Sequence, residues 1–406
     1  MENQKKETLS LPLRGIRILS IEQYGAAPFG SMFLADLGAE VIKIENPDVG
    51  GEMGRHVVPY SKENDSLFFQ SFSANKKSMG LNLQSDKGKK VFERLTINAD
   101  AVLNNLRGDL PKKLKLDYYS LSKINPKIVC VHLSAYGRNN TRESWPGLDY
   151  VMQAEAGYLS MTGEPDSPPT RFGLSVVDYQ AGLTAAIALL AGILGARRTG
   201  KGQDYDTALF DVAMSNLSYP AMWHLTEGYI PSRMPQSGHP SLVPSELYKT
   251  QDGWIFIMAN KSNFWPKLVN AIGKSEWAED NRMNDFKSRL KNRKLVLELL
   301  SKVFCKETTE FWLNKLSGVL PCAPVNDIQS ALSNKFSEER NIIQNIKHSD
   351  WLNLRGVRQP IMVNEKVLPR SHAPKLGSNT KEILLENGFS QDEVKSLSED
   401  EVILIE

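Results

Sequence analysis

The tightest constraint on this chain lies near its N-terminus. Residues 16–21, IRILSI, form an apolar, β-branched run that reads as a buried strand. A small-residue turn, EQYGAAP, follows. PFGSMFLADLG then carries apolar residues at helical spacing, Gly38 ends that helix, and EVIKIE reads as a second strand. Strand, helix and strand within about thirty residues make a βαβ unit with a parallel strand pair. The alternation continues: KKVFERLTINA reads as a helix, DAVLNNL as a strand, YYSLSKINP as a helix stopped by proline, and KIVCVHLSAYG as another buried strand. The first half of the chain is therefore expected to be an open, doubly wound α/β domain on a parallel sheet.

The most apolar stretch, AGLTAAIALLAGILGA at 181–196, has sixteen residues. A membrane span needs roughly 20, and the Gly and Ala content suits a helix packed tightly in a core. RRTGKGQ follows as a basic loop, and DYDTALFDVAMSNLSYPAMWHL reads as a strand and then one long helix. Residues 225–245 are rich in Gly, Pro and Ser and read as a linker. YKTQDGWIFIMAN reads as a hairpin turning at Asp252-Gly253, with helices expected at 263–272 and 290–304. A smaller α+β domain is expected over 226–325, followed by a tail of helical and extended pieces.

At 406 residues the chain is too long for one ordinary core, so two domains are expected. Hydrophobic residues at 41% and charged residues at 24% are the balance of a globular protein, and a net charge of +2 argues against a nucleic-acid partner. Cys130, Cys305 and Cys322 are scattered, without metal-ligand spacing or a disulfide framework, which fits a reducing cytoplasm. The leading residues, MENQKKETLSLPLRG, have no apolar core of a secretory signal, and no membrane partner is expected.

A dinucleotide fingerprint would be G-x-G-x-x-G at the first turn, and EQYGAAPFG has only Gly25 and Gly30. Glu45 keeps a nicotinamide reading open, because it ends the second strand where a ribose-binding acid would sit. Gly25, Ala26 and Ala27 let backbone approach a ligand closely, with a helix start behind them to receive an anion, and simple turn chemistry explains them as well. Lys76-Lys77, Arg107, Lys112-Lys113 and Arg197-Arg198 with Lys201 could neutralise phosphates or be solvated helix ends. Asp178, in VVDYQAG, follows a strand-like LSVV and precedes the apolar helix. Taken alone it reads as a helix cap; the functional reading is a sheltered nucleophile. Asp149, in GLDYV, is a second carboxylate beside a glycine, and His239 lies on the linker. No G-x-S-x-G, H-E-x-x-H or Walker pattern is present.

Together, several segments resemble the class III CoA-transferases, the family of formyl-CoA and carnitine CoA-transferases. These are LRGIRILSIEQYGAAPFGSMFLADLGAEVIKIENP, NKKSMGLNLQSDKGK, INPKIVCVHLSAYG, PGLDYVMQAEAGYLSMTGEPDSPPTRFGLSVVDYQAGLTAAIALLAGILGARRTGKGQ and NTKEILLENGFSQDEV. The resemblance implies a large α/β CoA-binding domain built from both chain ends, 1–225 and 326–406, around the small domain at 226–325. It also implies an interlocked homodimer of ring-like subunits, with acyl-CoA and a carboxylic acid as substrates and no permanently bound cofactor or metal.

By the same resemblance, Asp178 is the nucleophile and overrides the cap reading. CoA is expected along Gly25, Ala26, Leu81, Asn105, Leu106 and Lys113. Asn46 stands where some relatives carry an arginine that meets the nucleotide, and a neutral side chain cannot neutralise phosphate. SGHPSLVP replaces the glycine run of formyl-CoA transferase, which argues against oxalate as acceptor and places His239 at the border of the acid's pocket. Arg171 could pair with a distal carboxylate or lie at the surface. The related α-methylacyl-CoA racemases need a histidine in a G-H-D motif, which here reads Gly147-Leu148-Asp149, and leucine carries no proton. The expected activity is thus CoA transfer from an acyl-CoA to a free acid, through an aspartyl anhydride and an aspartyl-CoA thioester. An ordinary aspartate is already ionised at neutral pH and needs no activating base. A racemase-like isomerase and a non-catalytic CoA-binding protein are the alternatives.

Overall fold

The computed structural model describes residues 10–406, so most of the leading polar segment lies outside the described residues. The chain divides into two compact units. Among the described residues, the first comprises 10–156, 173–217 and 338–406, and the second 157–172 and 218–337. The second unit is thus wider than the expected 226–325 and takes in the segment 157–172.

The first unit is built on a seven-stranded sheet. Its elements, in chain order, are β1 Arg17–Ile21, α1 Ala26–Asp36, β2 Glu40–Glu45, β3 Lys77–Leu81, α2 Asp86–Thr96, β4 Ala101–Asn104 and β5 Val129–Ser134. There follow α3 Asp149–Glu155, α4 Val176–Thr199, β6 Asp204–Ala208, α5 Leu209–Asn216, α6 Thr380–Glu386, α7 Gln391–Glu399 and β7 Ile403–Leu404. The strand order is β7-β3-β2-β1-β4-β5-β6, and every pairing is parallel except β7 on β3. The C-terminal segment therefore completes the sheet that the N-terminal segment begins.

Alternation along each strand assigns the two faces. Leu19, Ile42, Ile44, Met79, Val102 and Cys130 meet Val91, Phe92 and Leu95 of α2, Ile383 and Leu384 of α6 and Val394 of α7. The opposite face is covered by α1 and α4. Helices on both faces of a parallel sheet are the doubly wound arrangement expected from the sequence.

Three local expectations change. LSVV is not a strand: α4 already begins at Val176 and runs 24 residues to Thr199. The buried residues Val177, Ala181, Gly182, Ala185, Ala186, Leu189, Gly192, Ile193 and Ala196 form one stripe along it, as a helix packed on a sheet requires. The expected long helix after β6 is two helices. α5 stops at Asn216, Ser218 takes a left-handed φ of 42°, and a separate helix, Ser218–Glu227, follows in the second unit. YYSLSKINP forms only one helical turn, Tyr118–Leu121.

The second unit carries the expected hairpin, Ser245–Lys249 paired antiparallel with Trp254–Met258, and Cys322–Pro324 adds a third strand. Tyr248, Ile255 and Ile257 from this sheet pack with Trp265, Leu268, Leu300, Phe304 and Trp312 from helices Phe264–Ala271, Arg293–Phe304 and Thr309–Leu316.

Candidate active site

The strand order 3-2-1-4-5-6 reverses its direction of winding between β1 and β4, and ligands of such sheets sit in the crevice at that point. Here the two turns at the crevice are clasped by one side chain. Asn105, just past β4, accepts a hydrogen bond from Gln23 N and donates one to Gln23 O, both at 2.8 Å. This brings Gly25, Ala26 and Asn105 of the expected CoA site to one place.

The turn after β1 is held from below by buried charge. Lys76 Nζ meets Glu22 Oε1 at 2.6 Å, Lys43 Nζ meets Glu52 Oε1 at 3.2 Å, and Arg55 Nη2 meets Glu45 Oε1 at 2.7 Å. The three acids and three bases balance, which is the condition for keeping ions in a dry interior. Burial pushes Glu22 up, but Lys76 and Lys43 outweigh it and bring the carboxyl down to about 2. Glu52 accepts the backbone N–H of Tyr24 at 2.9 Å, and Tyr24 sits at a left-handed φ of 59°. That conformation starts α1 abruptly, and the N–H groups of Gly25, Ala26 and Ala27 find no acceptor among the described residues. Glu45, held in place as a ribose acid by the nicotinamide reading, is instead committed to Arg55.

Glycine brings α4 to this turn. A β-carbon on Gly30 would collide with the carbonyl oxygen of Gly182, and one on Gly182 with the carbonyl oxygen of Ala26. Close crossing at these two glycines sets the first turn of α4 beside the start of α1. A β-carbon on Gly25 would stand 3.2 Å from Asp178 Oδ2.

Asp178 is not the cap of α4. That role belongs to Asp149, whose Oδ2 accepts the N–H of Val177 at 2.7 Å and of Asp178 at 3.0 Å, while its Oδ1 accepts from Gln153 Nε2 at 2.5 Å. Ser175, at the N-cap position, makes no capping side-chain hydrogen bond. The Asp178 carboxylate receives no hydrogen bond from any described residue. Burial, and then the negative charge of Asp149, push it up from its ordinary value to about 7. The expectation of an ordinary aspartate, needing no adjustment to be ionised at neutral pH, changes in direction: burial and Asp149 both favour its protonated form.

The other expected contacts lie elsewhere in the first unit. The Leu81 side chain is buried in the core beneath β3, which leaves a ligand only its backbone. Leu106 packs half-buried against the same core. Lys113 is exposed and bonded to Asp109 at 2.7 Å. Asn46 accepts from Asp48 N and caps a short turn. Leu148 is exposed and precedes α3.

In the second unit, His239 Nδ1 accepts the N–H groups of Ser241 and Leu242, both at 3.1 Å, so Nε2 carries the proton facing the Tyr219 hydroxyl at 2.9 Å. Tyr219, Trp223 and Tyr229 line a cavity of about 330 Å³ there. Arg171 donates to the carbonyl of Phe172 at 3.0 Å. The ion cluster under the β1 turn went unread in the sequence, although a lysine amid the buried strand EVIKIE is its signal.

The family model for CoA-transferase family III matches residues 13–380. The chain belongs to this family. It is therefore a CoA-transferase, with acyl-CoA and carboxylate as its kinds of substrate. It is 30% identical over 382 residues to the succinate–glutarate CoA-transferase of Agrobacterium fabrum, covering 92% of this chain and 95% of that protein. It is 29% identical to the succinyl-CoA:mesaconate CoA-transferase of Haloarcula marismortui, covering 93% of this chain and 96% of that one. The crystal structure of Rv3272 from M. tuberculosis superposes with a TM-score of 0.82 at 28% identity, covering 93% of this chain and 100% of that one.

Proposed function

We propose that this CoA-transferase works through covalent intermediates on Asp178. The observation that carries the proposal is an unpaired, partly desolvated carboxylate set against the free N–H groups that open α1. An ionised Asp178 oxygen attacks the donor thioester carbonyl, the C–S bond breaks, and CoA leaves as thiolate, giving an aspartyl–acyl anhydride. The thiolate then attacks the Asp178 acyl carbon, the anhydride C–O bond breaks, and the donor acid leaves as carboxylate. The resulting aspartyl-CoA thioester passes CoA to the acceptor by the reverse steps. Gly25, Ala26 and Ala27 N–H groups supply the donors for each oxyanion, and CoA lies along the Gly25, Ala26 and Asn105 crevice.

Dicarboxylic acids are the acceptor class we propose, since both relatives are named for one: glutarate with succinate, and mesaconate with a succinyl donor. The racemase alternative is disfavoured by Leu148, which supplies no second acid–base group. The experiment is one reaction in deuterium oxide, with pooled acyl-CoAs and dicarboxylic acids, read by mass spectrometry. A new CoA ester that disappears with folded Asp178→Ala is expected. Substantial transfer by that variant would overturn the nucleophile, and deuterium at an α-carbon without a new ester would mean isomerisation.

A further inference from the structure

Asp149 forms none of the bonds that are made or broken, yet its place is unusual. A buried carboxylate, 3% exposed, it takes the backbone N–H groups of Val177 and of Asp178 itself in the first turn of α4. Ordinarily a helix N-terminus stabilises an anion in its first turn. Here that stabilisation is delivered to Asp149, and Asp178 is left with a like charge beside it.

We infer that Asp149 is a positioning residue that tilts Asp178 toward its acylated states by withholding the helix terminus and opposing its charge. The inference rests on Asp178 being the nucleophile. In the free enzyme an ionised Asp178 faces Asp149 across the start of α4. In the anhydride and in the thioester the Asp178 side chain is a neutral acyl group, so the repulsion is relieved as soon as the first bond forms. The same repulsion raises the basicity of Asp178, and a more basic oxygen is the better nucleophile once ionised.

The start of α1, beside Gly25, is the positive end of a helix facing Asp178. The neighbouring charged and titratable groups among the described residues are as follows. On α4 itself the neighbour is Tyr179, stacked on Phe29 with ring centroids 4.7 Å apart and pushed up by burial and by the two acids. From α3 come Asp149 and Tyr150, and Glu155 at its far end is bonded to Arg142 and Tyr136. Under the α1 turn, Glu22 is matched by Lys76 and Lys43. On β6, Asp204 is bonded to His132 and Arg138, and Asp206 to Arg138. Asp211 on α5 is exposed.

Asp149→Asn is the informative variant. Its amide oxygen still accepts from Val177 N and Asp178 N, and its NH₂ meets Gln153 once that amide turns over and gives up its 3.3 Å bond to Leu174 O, so the cap survives while the charge is lost. Wild type is expected to show an acid limb of kcat/KM near pH 7, moved in Asp149→Asn toward the ordinary carboxylate range. At pH 8.5, where both forms are ionised, kcat is expected to fall about tenfold with KM little changed, and less aspartyl-CoA thioester should accumulate with donor alone. A folded Asp149→Asn with an unmoved limb and undiminished thioester would overturn the inference. So would a wild-type limb below pH 5, which keeps the test decisive even if the variant fails to fold. Absence of any thioester on the Asp178 peptide in wild type would instead remove the nucleophile reading beneath it.

Discussion

Asp178 destabilises the fold whenever it is charged. Its ordinary value is 3.8 and the folded value is about 7, so folding favours the protonated form. Stability from this group is fully present below pH 3.8, declines as pH rises from there to about 7, and stays low above. Asp178→Asn should therefore match wild type in unfolding free energy near pH 4 and exceed it by about 2 kcal/mol at pH 8. That is roughly half of what the full shift implies, because the carboxylate is partly exposed. Urea unfolding at the two pH values checks this; a gap that does not grow with pH would contradict it. The sequence marks Asp178 through its surroundings, VVDYQAG. Its raised value was not legible there, because it depends on burial in the packed unit and then on Asp149, 29 positions earlier, arriving at the same helix end.

At the scale of elements, the contact between α1 and α4 does most to place the site. Gly182→Ala would drive a methyl group into the carbonyl of Ala26, and two backbones cannot yield as a flexible side chain would. The expected cost is about 3 kcal/mol in urea unfolding, with kcat reduced at least tenfold as Asp178 moves from the α1 turn. Gly195, on the same helix, has nothing within 4 Å of its notional β-carbon. Gly195→Ala should therefore stabilise the protein by about 0.5–1 kcal/mol through helix propensity, with unchanged activity. Equal effects of the two changes would show that the crossing does not matter. AGLTAAIALLAGILGA announces a closely packed helix, but not which glycine meets which neighbour: that follows from the crossing of two elements about 150 residues apart in the chain.

At the scale of the molecule, each unit leaves apolar side chains open to solvent. On the first, Ile187 and Leu194 of α4 are 68% and 69% exposed; on the second, Met222 and Leu225 are 65% and 83% exposed. Such surfaces in a folded chain mark contact with another protein, and we propose that the partner is a second copy, in the interlocked form that the resemblance implies. Sedimentation at micromolar concentration should give twice the chain mass of 45.5 kDa. Ile187→Glu combined with Leu225→Glu should yield monomer, whereas a wild-type monomer would contradict the proposal.

What the sequence by itself determined is local and periodic. Strand β1, helix α1 and strand β2 follow from spacing and turn residues, and their succession dictates a parallel sheet, because a crossover helix can join only parallel neighbours. The resemblance of whole segments singled out Asp178 as the proposed nucleophile without any geometry. Only the tertiary structure decided that Asp149 rather than Asp178 caps α4, that Glu45 pairs with Arg55 rather than a ribose, and that Asn105 clasps the two turns at the switch point. Each of these depends on desolvation and on partners far apart in the chain. A carboxylate's role is set by what surrounds it, and its surroundings exist only once the elements have packed.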